Sequence, residues 1–312
     1  MRLAAIDVGT NTTRLLIAEA QGGSYRELDR RLTFTRLGEG VDSGKVLQPG
    51  AMKRTLAAIA EFCSLCGEFG VEKVRVAGTS AVRDARNSSD FLKAAEKLSG
   101  SPAVALTGDQ EARLSFWGAT GDLLVPRCLV CDIGGGSTEF VAGTPSSEIA
   151  GRISLDVGSV RLTERYLVSD PPATEEILTM EAAIDDLLAG ADAEIGDVSE
   201  AVFVGLGGTV TTLAAIYLGL DRYEAESVDQ TGVRRESLDA LYRNLARMTL
   251  AERSRIPVLP EGRADVIVAG AAILSRILAR WSFDRVVVSE KDILDGLLLQ
   301  MMGRLDDQGM PG

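Results

Sequence analysis

Short apolar runs along the chain alternate with longer stretches in which apolar residues recur every three or four positions. Apolar runs bounded by glycine or polar residues predict β-strands, and the longer spacing predicts α-helices. The predicted strands are RLAAIDV, TRLLIAEA, KVRVAGTS, CLVCDI, STEFVAG and residues 201–204 and 285–289. The predicted helices cover residues 49–70, 90–98, 109–120, 159–167, 175–189, 236–248, 263–281 and 292–302. This mixture predicts an α/β protein.

One strand–turn–strand pattern occurs twice. IDVGTNTTRLLIA (residues 6–18) and CDIGGGSTEFVAG (residues 131–143) both run from an apolar strand through Asp, any residue, Gly and three small residues. A Thr then stands at the sixth position after the Asp, and a second strand follows. The two copies lie 125 residues apart, which predicts two similar domains that open with the same hairpin.

Each hairpin turn has the composition of a phosphate-binding loop. Glycine adopts backbone angles that other residues avoid, and successive N–H groups in a tight turn attract anions. The aspartates at the two strand ends, Asp7 and Asp132, are candidate ligands for a Mg²⁺ ion bound to phosphate. A third loop, GLGGTVTTLAAI (residues 205–216), follows a predicted strand and leads into a helix, whose N-terminus also suits phosphate.

The composition excludes several classes of function. The chain has 33 basic and 45 acidic residues, and the net charge of −12 argues against a broad nucleic-acid surface. It contains no histidine, which excludes Ser-His-Asp triads, histidine–metal sites and histidine acid–base catalysis. A carboxylate that activates water fits a chain of this composition.

The four cysteines form two C-x-x-C pairs, Cys63/Cys66 and Cys128/Cys131, and such spacing can hold zinc. The first pair falls on the apolar face of the predicted helix over residues 49–70. The second lies in a predicted strand, where residues three apart point to opposite faces. Buried, reduced thiols of a cytoplasmic protein therefore explain both pairs better than a zinc site does.

The length of 312 residues, 46% of them hydrophobic, favours two domains over one. The longest clean apolar run is VIVAGAAIL at residues 266–274, and a membrane span needs about 20 such residues. The apolar stretch before Asp7 is too short for the core of a signal peptide. We therefore expect a cytoplasmic protein with no membrane partner.

Six motifs occur in a fixed order: DVGTNTTRLL, GTSAVRDARN, LTGDQEARLSF, DIGGGSTE, VGSVRLTERYL and GLGGTVTTLAAI. Two domains with Asp-Gly phosphate loops resemble the actin, Hsp70 and sugar kinase superfamily. The six motifs together resemble the exopolyphosphatase / guanosine pentaphosphate phosphohydrolase (Ppx/GppA) family over almost the whole chain. The resemblance implies two actin-like (ribonuclease H-like) α/β domains facing a central cleft. It further implies the short form of the family, without the C-terminal helical domain of larger members.

The resemblance also implies roles for individual residues. Glu111 matches the general base of the family, and Gln110 stands where the family has a second Glu. Asp132 matches an aspartate associated with Mg²⁺, and Glu139 matches a second acid that supports water or metal binding. Glu111, Asp132 and Glu139 are thus the expected catalytic residues. The expected metal ligands are Asp7, Asp132 and Glu139.

The expected phosphate-binding residues lie in the three loops and in GTSAVRDARN. They are Gly9, Thr10, Asn11, Thr12, Arg83, Gly134, Gly135, Gly136, Ser137, Thr138, Gly207, Gly208 and Thr209. The first loop has threonine at two places where the family has serine, so the hydroxyl groups are kept. Arg83 matches an arginine that contacts phosphate, which the geometry of a guanidinium allows.

The implied activity is Mg²⁺-dependent release of terminal orthophosphate from inorganic polyphosphate, with Glu111 taking a proton from an in-line water. The implied domains are residues 1–121 and 122–290, with a last helix at about residues 291–305 packed on the first domain. A homodimer is the family expectation, and no nucleic-acid partner is implied.

Three alternatives remain. The same motifs would serve hydrolysis of guanosine pentaphosphate to the tetraphosphate, or phosphate transfer from polyphosphate to a nucleoside diphosphate. A second alternative is a regulatory protein of the stringent response that binds guanosine penta- or tetraphosphate and has a weak active site. A third is a filament-forming actin-like protein, which the motif around Glu111 disfavours.

Overall fold

The computed structural model describes residues 1–121, 123–145, 147–307 and 309–310. The chain divides into two compact units. Unit 1 comprises Met1–Gly118 and Lys291–Gly312, and unit 2 comprises Ala119–Glu290. The boundary expected from the sequence, between residues 121 and 122, is close to this division, and Asp122 itself lies outside the described residues.

The secondary structure alternates strands and helices in both units. The strands are β1 (Arg2–Val8), β2 (Thr12–Gln21), β3 (Ser24–Phe34), β4 (Lys73–Gly78), β5 (Ala103–Ala105), β6 (Cys128–Ile133), β7 (Thr138–Thr144), β8 (Glu148–Leu155), β9 (Val202–Leu206), β10 (Gly232–Arg234) and β11 (Arg285–Val288). The helices are α1 (Val41–Gly44), α2 (Pro49–Glu68), α3 (Ser80–Asp84), α4 (Ser88–Ser99), α5 (Gly108–Thr120), α6 (Ser159–Tyr166), α7 (Thr174–Ala189), α8 (Asp192–Ile195), α9 (Gly207–Tyr217), α10 (Ala225–Val228), α11 (Arg235–Arg247), α12 (Leu250–Arg253), α13 (Glu261–Ala264), α14 (Ile267–Arg280) and α15 (Ile293–Met301).

Unit 1 contains a five-stranded sheet in the order β3-β2-β1-β4-β5. The first three strands form an antiparallel meander, and β4 and β5 run parallel to β1. Apolar side chains of β1 and β2 pack on those of α2, which places Ile6, Ile17 and Phe62 in one buried cluster. The last helix, α15, packs on β1 and β2 of the same unit.

Unit 2 repeats this order with one additional edge strand. Its sheet runs β10-β11-β9-β6-β7-β8, in which β6 to β8 form the meander and β9 and β11 run parallel to β6. Its largest buried cluster joins Phe140 of β7 and Phe203 of β9 with α14, which is buried along most of its length. The two units thus have similar folds, as the repeated hairpin predicted. Their shared strand order is that of an actin-like, ribonuclease H-like domain, which the resemblance to the family implied.

The sequence pattern missed the strands that lie at or near sheet edges. β3 and β8 complete the two meanders, yet several of their residues are exposed and their sequences, SYRELDRRLTF and EIAGRISL, lack a continuous apolar run. The helix predicted over residues 263–281 is two helices, α13 and α14, separated by Asp265 and Val266. Within the described ranges, no helix combines the length and the apolar character that crossing a membrane requires.

Candidate active site

The candidate residues of unit 1 follow the carboxyl ends of three parallel strands. Asp7 lies near the end of β1, Arg83 is on α3 directly after β4, and Glu111 is on α5 after β5. These strands are neighbours in the order β1-β4-β5, so their carboxyl ends lie at the same edge of the sheet. Ligands of open α/β sheets bind at that edge.

Glu111 and Arg83 form an ion pair. The Nη1 of Arg83 donates to Oε2 of Glu111 at 2.8 Å and to the carbonyl of Leu106 at 3.1 Å. Glu111 is 8% exposed, so its carboxylate is fixed and largely removed from solvent. The sequence motifs identified Arg83 and Glu111 as separate candidates, and the structure shows that they are in direct contact.

Gln110, which replaces a second Glu in the family motif, caps α5. The backbone N–H of Thr107 donates to Oε1 of Gln110 at 3.1 Å, and the N–H of Gln110 donates to the Thr107 hydroxyl at 3.2 Å. This reciprocal pair is a capping box, in which Gln and Glu serve equally. Gln110 therefore fixes the first turn of the helix on which Glu111 lies.

Asp7 is paired with an arginine of the neighbouring strand. Nη2 and Nε of Arg14 donate to Oδ2 of Asp7 at 2.6 and 3.0 Å, and Nη1 of Arg14 bonds Asp292 of the segment before α15. Burial raises the pKa of Asp7, and Arg14 opposes that rise. Oδ1 of Asp7 is buried and has no hydrogen-bond partner among the described residues.

The equivalent hairpin of unit 2 carries a second acid in place of that arginine. Asp132 and Glu139 are directly opposite each other on β6 and β7, as Asp7 and Arg14 are on β1 and β2. Glu139 is buried and accepts a hydrogen bond from the hydroxyl of Ser154 at 2.7 Å. Two carboxylates at facing positions repel each other unless a cation or a proton lies near.

The turns of the two hairpins have the same internal hydrogen bond. The N–H of Gly9 donates to the carbonyl of Thr12 at 2.9 Å, and that of Gly134 donates to Ser137 at 3.0 Å. The N–H groups of Gly9 and Gly134 are therefore used to close the turns. Any N–H contacts to phosphate would come from the residues that follow each of these glycines.

The third loop lies against Asp132. A Cβ atom at Gly207, which has a φ of 81°, would be 2.7 Å from Oδ1 of Asp132. A Cβ at Gly208 would be 2.1 Å from Nη2 of Arg263, a buried residue whose Nη1 also donates to the Thr212 hydroxyl at 2.5 Å. Sequence analysis missed Arg263, because its place beside the loop depends on the break between α13 and α14.

The acidic residues fit a Mg²⁺ site that is completed by water and phosphate. Within the described ranges, no three carboxylate, thiol or imidazole groups cluster as metal ligands, and Asp7 lies in a different unit from Asp132 and Glu139. Mg²⁺ is commonly held by one or two carboxylates, with water and substrate oxygens as its other ligands. The pair Asp132 and Glu139 in unit 2 has that composition.

Comparisons with a family profile, with known sequences and with solved structures all find Ppx/GppA proteins. The Ppx/GppA phosphatase family profile matches residues 16–305. Exopolyphosphatase 2 of Mycobacterium tuberculosis is 38% identical over 97% of this chain and 99% of its own. The solved structure of an exopolyphosphatase-like protein is 36% identical, with a TM-score of 0.92 over 97% of this chain and 99% of that chain. An exopolyphosphatase of Cytophaga hutchinsonii is 27% identical, with a TM-score of 0.90 over 98% and 99%.

The match to Exopolyphosphatase 2 spans nearly the whole chain. The profile match begins at the last residue of the first motif, so it contains the other five motifs but not the first loop. The chain therefore belongs to the Ppx/GppA phosphatase family and is an enzyme of the phosphoanhydride hydrolase class.

Proposed function

We propose that the protein is an exopolyphosphatase, which releases orthophosphate from the ends of inorganic polyphosphate in a Mg²⁺-dependent hydrolysis. The observation that carries this proposal is the buried Glu111 carboxylate, held at 2.8 Å by Arg83 at the carboxyl edge of the unit 1 sheet. The relatives named exopolyphosphatase support polyphosphate as the substrate.

Glu111 acts as the general base. It accepts a proton from the water that attacks the terminal phosphorus, and its ion pair with Arg83 fixes the direction of the carboxylate. A guanidinium has five N–H donors, so Arg83 can hold Glu111 and contact a phosphate oxygen at the same time. Phosphoryl transfer is catalysed mainly by positioning and by charge stabilisation, and these residues supply both.

The Mg²⁺ ion would be held by Asp132 and Glu139, the two carboxylates at facing positions of β6 and β7. When bound, the ion neutralises charge on the phosphate oxygens. The loop residues after Gly9 and Gly134 and the N-terminus of α9 are the proposed phosphate contacts, since backbone N–H groups in such turns bind anions.

The experiment is a measurement of orthophosphate release from long-chain polyphosphate with Mg²⁺ or with EDTA, alongside guanosine pentaphosphate at equal concentration. We expect release that requires the divalent ion and is faster from polyphosphate. Faster release from the nucleotide would instead support a guanosine pentaphosphate hydrolase. ADP is added in a further arm, where formation of ATP would identify a phosphotransferase.

Two further expectations stay predictions. The cytoplasmic location was expected from the lack of a membrane span and of a signal peptide in the sequence, and the homodimer from the resemblance to the family. Sedimentation of the purified protein over a range of concentrations tests the second of these, and a species of twice the chain mass, 33.1 kDa, is the expected result.

A further inference from the structure

The carbonyl groups of Gly134, Gly135 and Gly136 in the unit 2 phosphate loop are bound by the start of α6. The N–H of Ser159 donates to the carbonyl of Gly134 at 3.0 Å. The N–H groups of Val160 and Arg161 donate to that of Gly135 at 2.9 and 3.0 Å. The Nε of Arg161 donates to the carbonyl of Gly136 at 2.6 Å. Three consecutive carbonyls of the loop are therefore turned towards one helix end.

This contact determines the direction of the loop's N–H groups. In a trans peptide, the N–H of each residue points opposite to the carbonyl of the residue before it. The N–H groups of Gly135, Gly136 and Ser137 therefore point away from α6. None of the three has a hydrogen-bond partner among the described residues. A row of such N–H groups is an anion-binding concavity.

The approach of α6 depends on two residues of the VGSVRLTERYL motif. Gly158 precedes the helix, and a Cβ there would lie 2.3 Å from the carbonyl oxygen of Gly135, so only glycine allows this distance. Arg161 is 4% exposed, although an arginine is seldom buried without a specific partner. Its Nε donates to the loop, and its Nη2 lies 3.6 Å from Oδ1 of the exposed Asp156.

Unit 1 has the same arrangement on its own loop. The N–H of Gly38 donates to the carbonyl of Thr10 at 2.9 Å, and those of Thr35 and Arg36 donate to the carbonyl of Asn11. A Cβ at Gly38 would lie 2.2 Å from Cγ2 of Thr10. In both units, a segment that contains one closely packed glycine, Gly38 or Gly158, donates hydrogen bonds to the carbonyl groups of the loop.

We propose that Gly158 and Arg161 are positioning residues, which hold the carbonyl side of residues 134–136 so that the opposite N–H groups face the phosphate. This inference rests on the proposed function for the identity of the phosphate ligand. Gly158 carries no charge and serves the same contact, so a loss in its variant would report on the position of the loop and not on the charge of Arg161.

The test compares two glycine variants that create equal clashes in unit 2. Gly158→Ala places a Cβ 2.3 Å from the backbone oxygen of Gly135. Gly151→Ala, the control, places one 2.2 Å from the backbone oxygen of Glu194, between β8 and α8. We expect both to lower the melting temperature, and only Gly158→Ala to raise KM for polyphosphate, by about tenfold, because the loop N–H bonds are misdirected.

Arg161→Met is the second variant, in case Gly158→Ala does not fold. It keeps a long apolar stem in the buried position and removes the donor to Gly136, and we expect KM to rise by about tenfold here too. Arg161→Lys keeps the charge and can still donate, so it should recover part of the loss. Equal KM values for Gly158→Ala, Arg161→Met and the Gly151→Ala control would overturn the proposal.

A binding measurement separates this inference from the proposed function. With ¹⁵N-labelled glycine, the amide signals of Gly135 and Gly136 should shift when inorganic pyrophosphate is added, at lower concentration for the wild type than for Arg161→Met. If these signals shift but no polyphosphate is hydrolysed, the proposed function fails and the inference stands. If polyphosphate is hydrolysed and the signals do not shift, the inference is wrong.

Discussion

Arg14 and Glu139 occupy equivalent positions of the two hairpins, and this one difference gives the two aspartates opposite surroundings. Asp7 faces a guanidinium that also binds Asp292, whereas Asp132 faces a carboxylate. A buried acid paired with arginine has its charge balanced within the protein. Facing acids attract a cation, so under the proposed function we expect Mg²⁺ at Asp132 and Glu139 and not at Asp7.

Replacing Arg14 should destabilise unit 1. Arg14→Met leaves the buried carboxylates of Asp7 and Asp292 without their shared partner, and removal of one member of a buried ion pair costs about 3–5 kcal/mol. Urea unfolding of the variant measures the loss. Arg31→Met is the control, because Arg31 is 56% exposed and, among the described residues, pairs with Asp29 alone, so its loss should stay within about 1 kcal/mol.

The same variant should show a pH dependence of defined sign. Burial raises the pKa of Asp7, and the loss of Arg14 raises it further. The unfolded chain releases this proton near pH 4, whereas the folded variant keeps it to higher pH. The deficit relative to the wild type should therefore grow between pH 4 and pH 7. A deficit that is constant or that shrinks over this range would contradict the assignment.

The cysteines provide a second prediction at this scale. None forms a disulfide, and Cys66, Cys128 and Cys131 are buried, whereas Cys63 is partly exposed. Burial raises the pKa of Cys66 and Cys128 to about 12, so the reactive thiolate is scarce at both positions at pH 8. Ellman's reagent should modify one thiol quickly in the native protein, and Cys63→Ser should remove it. Fast native modification of Cys128 would contradict this burial.

At the scale of elements, α5 and α15 meet backbone to backbone. A Cβ at Gly118 of α5 would lie 2.0 Å from the carbonyl oxygen of Asp292, and one at Gly296 of α15 would lie 2.1 Å from that of Leu114. The two glycines thus set the distance between α15 and the helix that carries Glu111. α5 is fixed at its start by the Gln110 capping box and along its length by this contact.

Gly296→Ala should therefore destabilise unit 1 by about 1–3 kcal/mol, the usual cost of an added methyl group in a tightly packed contact. Gly67→Ala in α2 is the matched control, because no heavy atom lies within 4 Å of the new Cβ. It should raise stability slightly, since alanine is the better helix former. Urea unfolding gives the free energy of unfolding of each variant. Equal values for Gly296→Ala and Gly67→Ala would show that α5 and α15 do not pack this closely.

The sequence predicted elements where burial gives a pattern, and missed those where it does not. β1, β2, β6 and β7 are buried and apolar, and their predicted positions agree with the structure. β3 is polar and half exposed because it is an edge strand, so periodicity alone does not identify it. The motifs located Arg83 and Glu111. The contact of Arg14 with Asp292 joins positions 278 residues apart, which no local pattern reveals.

At the scale of the whole molecule, the two units share one strand order, and the last helix, α15, belongs to unit 1. The proposed function gives roles to Glu111 and Arg83 in unit 1 and to Asp132 and Glu139 in unit 2. Such an assignment predicts that variants in the two units are not independent.

The Glu111→Gln and Asp132→Asn variants should each lower kcat strongly, and the double variant should be no slower than the slower single one by more than about threefold. When two residues act in the same catalytic step, removing the second costs little more kcat than removing the first alone. Orthophosphate release under saturating polyphosphate and Mg²⁺ measures all four proteins. Multiplicative losses would show that the two carboxylates act in separate steps.

The measurement that tests the central claim most directly is kcat for orthophosphate release by Glu111→Gln. Glutamine keeps the size of the side chain and can still bond Arg83, but it cannot accept the proton of the attacking water. We predict a fall in kcat of about 10²–10⁴-fold with little change in KM. Asp109→Asn, which removes an exposed carboxylate from the same helix, should stay near the wild-type rate. A Glu111→Gln enzyme with wild-type turnover would contradict the account.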